Sequence, residues 1–99
     1  RMIEEDQVSM IITGATDGFL TSSPWKTLMD DRGLFTPQQV CILVKQPLLA
    51  SEPRLRAALA ELSGKFTNEG MRKMNAAVDV QHRAAAAVAA DFLAGAGLK

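Results

Sequence analysis

The segment at residues 8–18, VSMIITGATDG, constrains the fold of this chain more than any other stretch. It begins as an apolar, β-branched run, stops at a glycine and continues through polar residues to a second glycine. A short apolar run bounded by glycines is typical of a buried strand that ends in a loop, so we predict a strand over residues 8–13. In open α/β sheets, ligands bind where strands end in such loops, so we expect residues 14–18 to contact a ligand.

Length and charge exclude several classes of protein. The chain has 99 residues, which suits one small domain with a modest core. Eleven Lys and Arg residues balance eleven Asp and Glu residues, so no basic face supports a nucleic-acid partner. No apolar stretch approaches the roughly 20 residues that a membrane span requires.

Further local patterns predict the remaining non-helical part. Residues 39–45, QVCILVK, form a nearly continuous apolar run and predict a second strand, and residues 25–29 predict a brief third one. Residues 30–33, DDRG, are a strong turn signal between them. Residues 19–24 predict a short helical turn or loop that ends at a proline, and residues 78–80 look extended.

The chain downstream of residue 46 is predicted to be mainly helical, and residues 1–6 resemble the end of a helix. Ser51 is a plausible N-cap, Gly64 a natural stop, and Thr67 precedes an amphipathic stretch with Glu69 in its first turn. The predicted helices are a short opener at residues 47–50, a helix at 51–63, a helix that follows residue 67, and a last helix at 84–93.

Few residues offer catalytic chemistry. Cys41 lies in an apolar run and is most simply a buried small hydrophobe, and His82, the single histidine, has polar neighbours. A small enzyme that uses both remains an alternative only if the fold brings them together. Because motifs for phosphate binding, dinucleotide binding, acyl hydrolysis and zinc proteolysis are absent, we predict no enzyme, no cofactor and no metal site.

Two places offer binding chemistry. Thr16 and Asp17 follow the predicted strand directly, so they could donate and accept hydrogen bonds to a ligand or form an Asx-type turn, and both can hold. Trp25, the single tryptophan, could stack on a ligand, although core packing is the simpler interpretation.

The order of short motifs along the chain allows a comparison with known families. The motifs are Thr16-Asp17-Gly18, Leu28 with Asp30-Asp31, Phe35-Thr36-Pro37, and residues 40–45, 59–65, 71–75, 78–80 and 89–98.

This pattern resembles the C-terminal part of the substrate-binding component of ABC transporters for glycine betaine, choline and carnitine. The resemblance covers essentially all residues and implies an α/β fold: a fragment of a two-lobe fold of the periplasmic-binding-protein type. About two to four strands would be followed by three C-terminal helices. Residues 1–24 would end the second lobe and cross over, and residues 25–99 would form the C-terminal part of the first lobe.

The resemblance also implies partners and a site. It implies a small solute held between the lobes, ABC permease subunits as partners, and an extracytoplasmic location. Family members hold the quaternary ammonium group in a tyrosine cage, and two cage positions fall on Gly14 and Gln38. Because the sequence contains no tyrosine, at least half of the cage is absent. The predicted ligand-binding residues are Gly14, Thr16, Asp17 and Gln38. Trp25 is a further, less favoured candidate.

Two further points follow from the sequence. The family usually has Asp-Pro where this chain has Ala84 and Ala85, so the last helix is expected to lack a side-chain N-cap. The alternative to solute binding is a non-catalytic interaction domain that forms a homodimer through exposed apolar surface.

Overall fold

The structure, a computed structural model, describes residues 3–21 and 24–98. These residues form one 3₁₀-helix and four α-helices and contain no strand. The elements are the 3₁₀-helix Gly18–Thr21, α1 (Gln46–Ser51), α2 (Pro53–Ala60), α3 (Asn68–Asp79) and α4 (Ala85–Gly95).

The prediction of an α/β fold with two to four strands is therefore wrong for the described residues. Residues 8–13, 25–29 and 39–45 are neither helical nor paired with a neighbouring segment. β-Propensity describes how well a residue fits a sheet, but a strand forms only when another strand satisfies its backbone N–H and C=O groups. The apolar side chains of these runs are instead largely exposed, including Ile12, Met29 and Leu43.

The same correction applies to two smaller predictions. Cys41 is exposed rather than buried, because its run does not pack into a core. Residues 78–80 are not extended: α3 continues to Asp79, and Val80 is its helical C-cap. The apolar residues Met71, Met74 and Val78 are spaced by three and four, and this helical period prevails over the β-branched character of Val78 and Val80.

The start of α3 agrees with the sequence. Thr67 is its N-cap, and the Thr67 hydroxyl accepts a hydrogen bond from the Gly70 N–H at 3.0 Å. Glu69 lies in the first turn, where an acid interacts favourably with the helix dipole. The Lys73 ammonium lies 2.7 Å from the Glu69 carboxylate, and this hydrogen bond lowers the pKa of Glu69.

The junction between α1 and α2 differs from the prediction by one residue. Ser51 is the last residue of α1 and its hydroxyl donates to the Leu48 carbonyl, so it does not cap α2. The N-cap of α2 is Glu52, whose φ of −121° and ψ of 78° lie outside the α region that a following proline disfavours. The helix ends at Ala60, three residues before the predicted end, and its C-cap is Glu61, so Gly64 is not the residue that stops it. Gly64 closes the turn that follows, at a φ of +71°.

Two of the predicted segments extend past the ends of the described ranges. Residues 3–6 form a turn rather than the predicted helix end, and residues 1 and 2 lie outside the described residues. The predicted helical turn over residues 19–24 is confirmed in its first part by the 3₁₀-helix Gly18–Thr21, while Ser22 and Ser23 lie outside the described residues.

The compact part of the molecule is built around α3. The 3₁₀-helix packs against α3, which also contacts α4. The buried described residues, Gly18, Ala76, Ala77 and Val88, lie at these contacts, and Phe66 stacks on Phe92 with ring centroids 4.9 Å apart. The radius of gyration is 17.2 Å, compared with about 13 Å for a compact chain of this length.

Within the described residues, no helix is both long and apolar enough to cross a membrane.

The start of α4 gives the first testable prediction. Ala84 occupies the N-cap position with an extended backbone (φ −63°, ψ 129°) and offers no side-chain cap. We expect Ala84→Asp to raise the free energy of unfolding by about 0.5–2 kcal/mol, because its carboxylate can accept from the free N–H groups of the first turn. Urea unfolding measures the change. The control is Ala90→Asp on the same helix, which places the same side chain away from those groups and should not stabilise the chain.

Candidate functional site

Residues 13–19 form a self-contained polar turn. The Asp17 N–H donates to the Gly14 carbonyl at 3.0 Å, which closes the turn. The Thr13 hydroxyl donates to Asp17 Oδ2 at 3.0 Å, and the Phe19 N–H donates to Asp17 Oδ1 at 3.4 Å. The Asp17 carboxylate therefore acts as an Asx-type cap for the 3₁₀-helix, as one of the two interpretations of the sequence predicted.

Two side chains of α3 hold this turn from the far end of the sequence. Asn75 Nδ2 donates to the Thr16 carbonyl at 2.7 Å, and Arg72 Nε donates to the Ala15 carbonyl. The two residues are three apart on α3 and therefore lie on the same helix face. Sequence reasoning missed their role, although residues 71–75 belong to the motifs that carry the family resemblance.

Gly18 brings the turn into direct contact with the α3 backbone. A Cβ atom at this position would lie 2.5 Å from the Ala76 nitrogen and 2.7 Å from both Ala76 Cα and the Asn75 carbonyl carbon. Distances below 3.0 Å to backbone atoms leave no space for a side chain. Glycine is therefore required at position 18 because the backbone of the turn lies so close to the backbone of α3. A left-handed φ is not the reason, since Gly18 does not adopt one.

A large open groove lies beside this turn and brings together two of the predicted binding residues, Thr16 and Gln38. Its volume is about 960 Å³, which is within the usual range for small-molecule sites. Thr16 is half-buried and Gln38 is exposed. We refer to it as the Thr16–Gln38 groove; its other described lining residues are Gln39, Val40, Ile42, Val44, Leu49, Arg56, Leu59, Ala60, Leu62, Ser63, Gly64, Phe66, Thr67, Asn68 and Met71.

The Thr16–Gln38 groove contains one charged group and one aromatic ring among its described lining residues, Arg56 and Phe66. The Arg56 guanidinium can donate a bidentate pair of hydrogen bonds to a carboxylate. Sequence reasoning missed both residues, because both lie outside the motifs that carry the family resemblance.

The other three predicted site residues are placed differently. Asp17 is engaged by its own turn, while Gly14 is exposed and a Cβ atom added there would meet nothing within 4 Å. Trp25 is half-buried, and its indole N–H is buried without a hydrogen-bond partner among the described residues. None of the three lines the Thr16–Gln38 groove. Their role in binding stays a prediction.

The predicted turn at residues 30–33 is present and leads into the segment that carries Gln38. The Asp30 carboxylate accepts hydrogen bonds from the N–H groups of Phe35 at 2.8 Å and Leu34 at 2.9 Å. Gly33 has a φ of +64°, which allows the chain to reverse. The hydrogen bonds from Phe35 and then Leu34 favour the ionised carboxylate and lower the pKa of Asp30.

This turn gives a pH-dependent prediction. Since the pKa of Asp30 is lower in the folded chain, its carboxylate stabilises the turn fully above the pKa of the unfolded chain. That contribution is lost as the pH falls through the lower folded value. A carbon-detected NMR titration should therefore give a lower midpoint for Asp30 in the native chain than in the chain unfolded in urea. Coincident midpoints would show that the two backbone donors do not act on the carboxylate.

The structure offers little for catalysis or metal binding in the described residues. No group of three or more His, Cys, Asp or Glu side chains in residues 3–21 and 24–98 could hold a metal ion. Cys41 and His82 are both exposed, and His82 has a φ of +56° in the turn after α3.

Comparison with known families identifies the class of protein as a substrate-binding domain. The profile of OpuAC, described as the substrate binding domain of ABC-type glycine betaine transport system, matches residues 1–95. The chain belongs to this family. The match confirms the resemblance drawn from the sequence, and because the family consists of binding domains, it also confirms the prediction that the chain is not an enzyme.

Two curated relatives agree with the family. The carnitine transport binding protein OpuCC of Listeria monocytogenes is 29% identical over 91 residues, which are 92% of this chain and 30% of that protein. The ergothioneine transport permease/ergothioneine binding protein EgtU of Helicobacter pylori is 28% identical over 98 residues, which are 99% of this chain and 18% of that protein. The chain thus spans less than a third of the length of these relatives. No solved structure matches the chain significantly.

Proposed function

We propose that this chain is part of the solute-binding component of an ABC-type uptake system and binds a small solute with a quaternary ammonium group and a carboxylate. The observation that carries the proposal is the family match over residues 1–95. Glycine betaine, carnitine and ergothioneine, the solutes named for the family and the two relatives, share a trimethylammonium group and a carboxylate. The partners are the permease subunits, and binding takes place on the extracytoplasmic side of the membrane.

The proposed site is the Thr16–Gln38 groove together with the adjoining turn. The Thr16 hydroxyl, the Gln38 amide and the Arg56 guanidinium supply hydrogen-bond donors for the carboxylate of the solute. Gly14 and Trp25 lie outside the described lining of the groove, so their contact with a solute would require it to extend past the turn.

The missing tyrosines give the proposal its main consequence for ligand choice. A desolvated ammonium group gains about 0.5–2 kcal/mol from each aromatic face. With Gly14 and Gln38 at two cage positions, the cation is held less tightly, and the Gln38 amide favours a solute with more polar groups. We therefore expect a preference for larger, more polar betaines over glycine betaine itself.

Isothermal titration calorimetry on the protein in its full natural length tests this function. The panel contains glycine betaine, carnitine, ergothioneine and choline, which lacks the carboxylate. Saturable binding of the zwitterions and weaker binding of choline is the expected result. An absence of both heat and thermal stabilisation with every solute would overturn the proposal.

Self-association is the second candidate, and one observation favours it. Large apolar side chains in residues 28–43 are exposed, and Leu43 is 91% exposed. A second copy of the chain could cover them. Light scattering at increasing concentration should then detect a dimer that Leu43→Lys disrupts, whereas a monomer at all concentrations would exclude this candidate.

A further inference from the structure

The contacts between α3 and the polar turn suggest a function for two residues that lie outside the groove. Arg72 and Asn75 bind the carbonyls of Ala15 and Thr16, two consecutive acceptors. These residues donate across 57 and 59 positions of sequence, so the contact is tertiary rather than part of local folding.

The geometry of two adjacent peptide groups explains the effect on Thr16. The Ala15 carbonyl belongs to the peptide plane before Thr16 Cα, and the Thr16 carbonyl belongs to the plane after it. Because peptide groups are planar, anchoring both carbonyls to α3 restricts the orientation of both peptide planes relative to that helix, and with it the φ and ψ angles of Thr16. The direction of its Cα–Cβ bond is then restricted as well, and Thr16 lines the groove.

The hydrogen bonds within the turn restrict its backbone but do not anchor it to the rest of the molecule. The Asp17 carboxylate accepts hydrogen bonds from residues 13 and 19, and the Asp17 N–H donates to residue 14. These bonds shape the turn but do not connect it to the rest of the molecule. The connection comes from Arg72, Asn75 and the close approach of Gly18 to the α3 backbone.

We propose that Arg72 and Asn75 are positioning residues that fix the direction in which Thr16 presents its hydroxyl to a solute in the groove. The proposal rests on the proposed function, because it assigns these residues to the same site. Neither residue lines the Thr16–Gln38 groove, so they act through the backbone of the turn and not by touching the solute.

The main test is Asn75→Asp, which keeps the shape of the side chain but replaces the N–H donor with an oxygen. We expect the Asp17 amide to exchange its hydrogen about tenfold faster, as for the loss of one hydrogen bond, while amides within α4 are unchanged. In the full-length protein, dissociation of carnitine should also become about tenfold faster, because Thr16 is no longer held in one orientation.

Two more variants keep the result interpretable. Arg72→Met removes the other donor and is expected to act in the same direction, which covers the case in which Asn75→Asp does not fold. Lys73→Gln is the control: Lys73 is exposed on the same helix and pairs with Glu69, so it should change neither exchange at Asp17 nor solute dissociation. A purely structural role would accelerate exchange in α4 as well.

The exchange experiment separates this proposal from the proposed function, since it needs no solute. If the unsubstituted protein binds no solute of the panel, the proposed function fails. The positioning role in binding then fails too, even if the substitutions accelerate amide hydrogen exchange at Asp17. If it binds solute and both variants retain unchanged exchange and dissociation rates, the proposed function stands and the positioning role is overturned.

Discussion

Gly18→Ala is expected to lower the free energy of unfolding by about 1–3 kcal/mol, as for overpacking of a closely packed contact. Its Cβ atom would lie 2.5 Å from the Ala76 nitrogen, and a backbone atom within a helix cannot move aside as a flexible side chain can. The turn would have to move away from α3, which would also lengthen the hydrogen bonds that Arg72 and Asn75 donate. Urea unfolding followed by circular dichroism measures the loss.

A second glycine of the same turn provides the matched control. Gly14→Ala adds the same methyl group four residues earlier, where nothing lies within 4 Å and the backbone φ is not in the left-handed region. Its free energy of unfolding should stay within about 0.5 kcal/mol of the original chain. Equal losses at the two positions would show that the close approach to α3 is not the cause.

Gly14→Tyr is expected to raise the affinity for trimethylammonium solutes about 2- to 30-fold, which corresponds to about 0.5–2 kcal/mol for one aromatic face. Position 14 is one of the two places where the family usually has a cage tyrosine, and the open space around it admits a large side chain. Calorimetric titration of glycine betaine and carnitine into the full-length protein measures the gain.

Two comparisons isolate the cation–π contribution. Gly14→Leu adds bulk and apolar surface without an aromatic face, so it should give a smaller gain with the same solutes. A neutral tert-butyl analogue of glycine betaine has the shape of the cation without its charge, and its affinity should respond alike to tyrosine and leucine. A gain with tyrosine that is the same for the neutral analogue would mean that only apolar contact had been added.

The sequence predicted the helical half of the molecule well, because its signals are local. Thr67 caps α3 with its own hydroxyl, Gly64 closes the turn after α2, and the absence of a cap at Ala84 is visible in the backbone. Each of these depends on residues within one turn of the position concerned, so the sequence contains the information directly.

The prediction of strands failed because a strand is not a local structure. The apolar runs at residues 8–13 and 39–45 have suitable residue types, yet no described segment pairs with either of them. The candidate site likewise combines local features, which the sequence predicts, with distant contacts, which it does not. The cap formed by Asp17 could be predicted from its neighbours, whereas the donors Arg72 and Asn75 lie more than 50 residues away and required the structure.

The long separation between the turn and α3 predicts an order of folding. The contact closes a loop of 57 to 59 residues, and its entropy cost exceeds that of a ten-residue loop by about 1.5 kcal/mol. Helices α3 and α4 are joined by a short connection and can meet early in folding, so they form the platform on which the N-terminal segment docks late. We therefore expect the Thr16 turn, one wall of the proposed site, to be the last segment to become ordered and the first to be released when the protein is stressed.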